Sequence, residues 1–326
     1  MSNHVLREVL TAFGSKFEGA PVVALGSAGG FSGAEFWRLE SDGSIFCLRK
    51  WPATQQNGQH IQFIHDVLIR VAAAGFELVP VPLRTDRGTS LVDKGGHFWE
   101  LSPWLPGRAD YANDPNPQRL VAALTALAEF HQAACGPPQY GVSPGISSRS
   151  DFLNELLAGD IQRIASCVAN NSLRWPELDE RASRLIRLFD SVAMSTLRTL
   201  QSCADLRVAL QPCIRDIWHD HVLYQGYTVT GIVDFGAMRY DNVATDIARL
   251  LGSFAGDDSS GWRAGIEVYQ QVRTLTPQEH QLIGAFDTSS VTLSGMNWLK
   301  WIYQEGRRFD DRCTIERRLD AMIQRF

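Results

Sequence analysis

The sequence predicts an α+β chain in two lobes: a small antiparallel β-rich lobe carrying one helix, then a larger lobe that is mostly helical. Three observations point there. The chain has 326 residues, beyond the length that one hydrophobic core usually organises. Short strand-like runs crowd residues 21–104, separated by turn residues, a spacing that suits an antiparallel meander. Beyond residue 104, apolar side chains recur mainly at helical intervals. The lobes are accordingly drawn at residues 1–104 and 105–326, with the connection near 104–107.

In chain order, PVVALGS, AEFWRLE and SIFCLRKW supply three strands, the last two joined by a tight turn at SDGS. Ile61, Ile64, Leu68 and Val71 then line one face of a helix over about residues 59–74, which Gly75 stops. LVPVPLR, TSLVDK and HFWELSPW read as further strands, with a turn at DKGG, and WLPG breaks the pattern at 104–107. Leu120, Leu124, Leu127 and His131 share one face of a helix through PQRLVAALTALAEFHQAA, so His131 is read as a core histidine. SPGISSRS reads as a polar loop. DFLNELLAGDIQRIASCVA, ELDERASRLIRLFDSVAMSTLRTLQ, GWRAGIEVYQQVRTL and SGMNWLKWIYQEGRRF read as helices. Trp298 and Trp301 are read as packing residues in preference to a substrate pocket, and Asp257, Asp258 and Glu305 as solvated surface in preference to a lure for cations.

Composition excludes some functions. With 44% hydrophobic and 21% charged residues, a net charge of -5 and a pI near 5.9, the chain does not have the balance of a nucleic-acid binder. Any anionic ligand must be held by local basic groups. The six cysteines stand singly, with no C-x-x-C pair, and read as buried thiols in a reducing compartment. No apolar run is long enough to span a bilayer and the first residues lack a signal-peptide core, so a cytoplasmic protein with no membrane partner is expected.

The stretch CIRDIWHDHVLYQGYTVTGIVDFGAMRYD carries the chemistry. HVLY and VTGIVDF are strand-like runs joined by the turn QGYT, so the chain reverses and brings Asp216 and Asp234 to one end of a hairpin. Two carboxylates there can divide labour, one accepting a proton from a hydroxyl and the other holding a divalent metal through oxygen. Phosphoryl transfer needs that division, because positioning and charge neutralisation supply most of its catalysis. The glycine-rich turn LGSAGGFSGAEF would let backbone N–H groups approach phosphate oxygens, and IFCLRK supplies Arg49 from the next strand, with Lys50 on the opposite face.

This order of parts resembles the aminoglycoside phosphotransferase family, protein-kinase-like enzymes that phosphorylate small molecules, over most of the chain from about Leu25 onward. The resemblance implies a bilobal protein-kinase-like fold, ATP or GTP as phosphoryl donor, magnesium or manganese as metal, and a small-molecule hydroxyl as acceptor. The family pattern H-G-D-x-H-x-x-N lies over IRDIWHDH, which makes Asp216 the catalytic Asp, with Arg215 beside it to neutralise charge. VDFGAM falls on the D-F-G-like site, so Asp234 is the principal metal ligand, and His221 takes the second metal position. Asp246 falls where the family braces its catalytic loop. WLPG resembles the hinge, placing Trp104 and Leu105 at adenine, while Gly29, Gly30, Ser32 and Arg49 hold the phosphates.

The pattern also departs from the family. His221 replaces the metal-binding Asn, Ile214 and Trp218 replace its two histidines, and Arg49 stands where a Lys is more familiar. The helix after the third strand holds no Glu, leaving Asp66 as its only acid. Two functions are therefore carried forward: a phosphotransferase acting on a small-molecule hydroxyl, and a kinase-fold nucleotide-binding or scaffold protein without activity.

Overall fold

The structure, a computed structural model, describes residues 3–27, 33–53, 57–137, 139–170, 173–309 and 311–326. The first part runs α1 (Asn3–Ala12), β1 (Val22–Gly26), β2 (Glu35–Ser41), β3 (Ser44–Lys50), α2 (Gly58–Ala73), β4 (Val92–Lys94), β5 (His97–Pro103) and α3 (Pro117–Ala134). There follow β6 (Gln139–Val142), α4 (Pro144–Glu155), α5 (Ile161–Ala169), α6 (Pro176–Gln201), β7 (Arg207–Cys213), β8 (Val222–Gln225), β9 (Thr228–Ile232) and β10 (Arg239–Asp241). Helices α7 (Ala244–Ala255), α8 (Ser259–Val272), α9 (Pro277–Leu299) and α10 (Arg312–Gln324) complete the chain. Packing gathers these elements into two compact units, residues 1–134 with 219–238, and residues 135–218 with 239–326. The fold is the expected α+β class, an antiparallel sheet in the N-terminal region with helices dominating the rest.

In the first unit the sheet order is β1-β2-β3-β5-β4, every neighbouring pair antiparallel. Ser41 pairs with Ser44, so Asp42 and Gly43 form a two-residue turn, and both take positive φ, +49° and +72°. That is the Asp-Gly geometry whose twist matches a hairpin. Alternate residues Trp37 and Leu39, Phe46 and Leu48, and Trp99 and Leu101 point to one face. Helix α1 covers that face with Val9 and Leu10, and Phe13 and Phe17 follow it into the same core. Each such side chain contributes about 1.5–3 kcal/mol by leaving water. This helix precedes the sheet and adds to the single helix read in the sequence; its apolar residues find their purpose only once the sheet face exists. Helix α2 lies where the periodicity places it, with Ile61, Ile64, Val67, Leu68 and Val71 buried.

Two strand assignments need correction. LVPVPLR forms no strand, because Pro80 and Pro82 have no N–H to give a ladder, and Leu83 alone donates to Leu101, at 2.7 Å. TSLVDK shrinks to the three residues of β4. The hairpin of β8 and β9 forms as read, Val222 opposite Ile232 and Gln225 opposite Thr228 around the turn Gly226-Tyr227. The 104–107 segment is tied to it. Thr230 Oγ1 donates to the Pro106 carbonyl at 2.6 Å, and Gly107, at φ +103°, passes so close that a Cβ would lie 2.2 Å from Thr230 Oγ1.

The second unit is built on α6, α7 and α9, with a small sheet of order β10-β7-β6 that the helical reading did not anticipate. Strands β6 and β10, of four and three residues, carry too little periodicity to show beside long helices, and the seven-residue β7 is interrupted by Pro212. SPGISSRS is helix, not loop: Pro144 opens α4 from Ser143, and Gly145 and Ile146 are buried. A proline at the first helical position costs no hydrogen bond, so composition misleads there. His131 and Trp298 are buried in their own units, as expected. Asp258 caps α8, Asp257 pairs with Arg325 at 3.0 Å, and Glu305 with Arg307 at 2.9 Å, so none of the three is an uncommitted charge. The six cysteines are free thiols; Cys203 and Cys213 are buried, but Cys135 and Cys313 are exposed, against the expectation that all are buried. No helix among the described residues is long and apolar enough to cross a membrane.

Candidate active site

In the first unit the expected phosphate-holding base and metal ligand meet. Arg49 sits on β3, facing away from the α1 core because it alternates with Leu48, and it is 8% exposed. Its Nη2 lies 3.4 Å from Asp234 Oδ1, and the guanidinium stands 3.9 Å above the Trp51 ring. The Arg49 Nε is buried with no hydrogen-bond partner among the described residues. A buried donor of that kind is costly unless a ligand oxygen satisfies it.

Glu100 is the residue that sequence reasoning missed. It lies directly opposite Arg49 across β3 and β5, its Oε1 4.0 Å from Arg49 Nη1. Its Oε2 accepts from Trp51 Nε1 at 2.8 Å and lies 2.7 Å from His65 Nε2, whose Nδ1 is 2.8 Å from Ser90 Oγ. So α2 does serve the base, through buried His65 and not through an acid. Asp66 is exposed and bonded to Gln62. A signal was available: a Glu inside an apolar strand run, and a His in register with the Ile61 and Leu68 stripe. Burial pushes the Glu100 carboxyl up, but the hydrogen bond and charge of His65, with Arg49 and Trp51, prevail and hold it below the usual range.

That balance makes a pH-dependent expectation. Because the folded carboxyl is depressed, its stabilisation is complete above the ordinary Glu value of about 4.3 and fades as pH falls through the lower folded value. Glu100→Gln should therefore lower stability by about 1–3 kcal/mol near pH 7. The deficit should shrink on acidification. Thermal unfolding of both proteins across that range checks it, and a deficit independent of pH would remove the ion from the account.

Asp234 follows the hairpin at its root, where Val233 N donates to the His221 carbonyl at 2.9 Å. It holds φ +61°, in the left-handed region, and its side chain is 43% exposed. Burial works to raise its pKa, while the charges of Arg49 and His221 and the N–H of Gly236 hold the carboxylate below the usual range. His221 Nε2 is 3.8 Å from Asp234 Oδ2, so an oxygen and a nitrogen donor stand side by side. Beside it, His219 Nε2 lies 3.3 Å from Asp220 Oδ1, and the His219 ring packs against Tyr111. Trp104 is 39% exposed with its N–H bonded to Ile45, and Leu105 packs against Gly231, where a Cβ would be 2.7 Å from it. Gly29, Gly30 and Ser32 lie outside the described residues.

In the second unit, buried Asp246 accepts from the backbone N–H groups of Ile214, at 2.7 Å, and Arg215, at 2.6 Å. The loop it grips places Arg215 at φ +68°. Non-glycine residues in that region cost about 1–3 kcal/mol each and cluster at functional sites. Asp216 comes next, 55% exposed, its Oδ1 accepting from Arg249 Nε at 3.2 Å and Nη2 at 3.1 Å. Arg249 lies three residues after Asp246 on α7, so one helix face supplies both the brace and the partner. Sequence reasoning did not single out Arg249. Arg215 Nε is 3.4 Å from Asp241, which is fully buried.

The sequence profile of the phosphotransferase enzyme family matches residues 25–282. The chain belongs to that family. This phosphotransferase-family chain is 26% identical over 220 residues to a homoserine kinase of Methylobacillus flagellatus, covering 66% of its own length and 60% of the relative's. It therefore spans less than two thirds of that relative. Among solved structures it resembles an amicoumacin kinase in complex with AMP-PNP, calcium and amicoumacin (TM-score 0.67, 14% identity, 99% of this chain and 93% of that one). It also resembles a spectinomycin phosphotransferase in complex with ADP and spectinomycin (TM-score 0.66, 8% identity, 100% and 99%). A microcompartment-associated aminopropanol kinase follows at TM-score 0.58 and 13% identity, covering 99% and 95%. At such identities the structural likenesses speak for the fold.

Proposed function

We propose that the protein transfers the γ-phosphoryl group of ATP, with GTP as the alternative donor, to a hydroxyl of a small molecule. The observation that carries this is the Arg49, Asp234 and His221 cluster. A buried guanidinium with an unsatisfied Nε stands beside a carboxylate kept ionised on left-handed backbone. These residues suit a nucleotide phosphate and a divalent cation. Arg49 would take phosphate oxygens through its planar fork. Asp234 and His221 would hold magnesium or manganese, which when bound neutralises phosphate charge. The carboxylate is the harder donor and so the principal ligand; imidazole suits manganese better than magnesium.

The remaining roles fall to residues of this chain. Asp216 would accept the proton of the acceptor hydroxyl, and Arg249 fixes its Oδ1 through two hydrogen bonds. Asp246 would keep the loop backbone in place through its two N–H bonds, and Arg215 would offset negative charge next to the base. Glu100 would hold Arg49 in its rotamer. The segment 104–107 would be the boundary of the lobes, with Trp104 and Leu105 against adenine and Gly29, Gly30 and Ser32 at the phosphates. A cytoplasmic setting suits six cysteines that stand as free thiols.

The rival is a nucleotide-binding or scaffold protein that has lost the chemistry, favoured by the imidazole of His221 where an amide is usual. A panel of small hydroxyl compounds with ATP and either magnesium or manganese separates the two. Metal-dependent ADP release coupled to a phosphomonoester product is expected. Stabilisation by nucleotide with no transfer to any acceptor would favour the rival, and neither stabilisation nor transfer would sink both.

A further inference from the structure

The second unit contains a cavity of about 300 Å³ framed by α4, α7, α9 and the loop before Asp216. Ser148, Arg149 and Phe152 come from α4, Arg215 from the loop, Thr245 from α7 and Ser290 from α9. Two arginines therefore line it, the rest of the wall being mostly hydroxyl and amide groups, and no acidic residue is among the lining residues. Its size is at the small end of ligand pockets, ~300–1,000 Å³. The residue that precedes the proposed base forms part of the wall.

The two cations are under-compensated. Arg149 Nη2 donates to Ser290 Oγ at 3.2 Å, and its guanidinium stacks 4.6 Å over the Phe286 ring. Arg215 reaches Asp241 at 3.4 Å. That carboxylate already accepts from Ser143 Oγ at 2.5 Å and from the Asn242 N–H at 2.9 Å. The third nearby cation, Arg249, is engaged by Asp216. Burial lowers the Arg149 pKa to about 10, with Asp241 opposing and Arg215 and Arg249 reinforcing the fall. At neutral pH the guanidinium still carries its charge. One buried carboxylate thus faces two guanidinium groups, and N–H groups on both remain beyond these contacts. A cationic acceptor would be repelled here. An oxyanion would find a fork donor, hydroxyls and an uncompensated charge.

We propose that this cavity is the acceptor site and that it selects a small hydroxyl compound bearing a carboxylate, with Arg149 taking the carboxylate and Arg215 assisting from the catalytic loop. The word acceptor rests on the phosphotransferase reading; the carboxylate binding does not. Arg149 is a binding residue and takes no part in proton transfer.

Two measurements on the full chain test it. In the first, D-glycerate, L-serine and L-homoserine are titrated calorimetrically without nucleotide, each beside its primary amide. At least one acid should bind tenfold or more tightly than its amide. Arg149→Gln should remove that preference, and Arg149→Lys, which keeps the charge but loses the fork, should reduce it. Thermal unfolding establishes that the variants are folded, and the acid-to-amide comparison in the unaltered protein stands even where they are not. In the second, the same pairs and 1-amino-2-propanol are offered as acceptors with ATP and magnesium. The acids should lead in kcat/KM, the advantage arising in KM and vanishing in Arg149→Gln. Equal use of acids, amides and the amine overturns this proposal while sparing the phosphotransferase reading. Binding of an acid without transfer does the reverse. Binding of neither acids nor amides overturns the proposal as well.

Discussion

Asp216→Asn is expected to lower kcat by about two to four orders of magnitude while leaving intact the thermal stabilisation given by nucleotide with a divalent metal. The amide has the carboxylate's shape, and its oxygen can still accept from Arg249, so the side chain keeps its place. What it loses is the ability to take a proton. The substitution should scarcely change Tm in the absence of ligand, because the side chain is 55% exposed and its ion pair is partly solvated. A coupled assay for ADP release beside a thermal-shift titration reads both quantities. Turnover that survives the change would remove Asp216 from the role of base. Loss of nucleotide stabilisation would instead make it part of the nucleotide site.

Asp234→Asn is expected to give the complementary result. Metal-dependent stabilisation by nucleotide should vanish, because the amide lacks the negative charge and the second oxygen with which the principal ligand would hold the cation. Asn is the informative choice. It tolerates the left-handed backbone that Asp234 adopts at φ +61°, whereas Ala would add strain to the loss of charge. A ligand present at a hundred times its Kd stabilises by about 2.7 kcal/mol, and that increment should disappear. Stability without ligand should lose the part that Asp234 shares with Arg49. That part is present above the ordinary Asp value of about 3.9 and declines below it, because the folded carboxyl is depressed. A metal-dependent shift that persists in the variant would move the cation elsewhere.

The first three strands, β5, the β8–β9 hairpin and several of the longer helices were legible because strong periodicity needs no tertiary context. Helix α3 spans the stretch read from Leu120, Leu124 and Leu127, and the β8–β9 hairpin turns at QGYT. The structure brings together Arg49 and Asp234, singled out from type and order, and His221, singled out through the family resemblance. Glu100, His65, Arg249 and Arg149 escaped for one shared reason. Each matters through a partner distant in sequence: Glu100 through strand register, His65 through helix-on-sheet packing, Arg249 through a loop gripped by its own helix, Arg149 through a wall assembled from three helices. The reading of LVPVPLR as strand failed differently. Its apolar pattern is that of a strand, but two prolines withhold the hydrogen bonds that a strand requires.

The pairing of Arg49 with Glu100 bears on how such a protein would be governed. In protein kinases the base on the third strand is matched by an acid on a helix, and the helix can swing to break the match. Here acid and base are fixed on adjacent antiparallel strands, and the helix contributes only a histidine to the same carboxylate. Separating them would mean tearing a sheet. If Arg49 takes nucleotide phosphates as proposed, no helix movement is needed to complete its pairing, and turnover would follow the concentrations of the substrates instead of a conformational on-off signal.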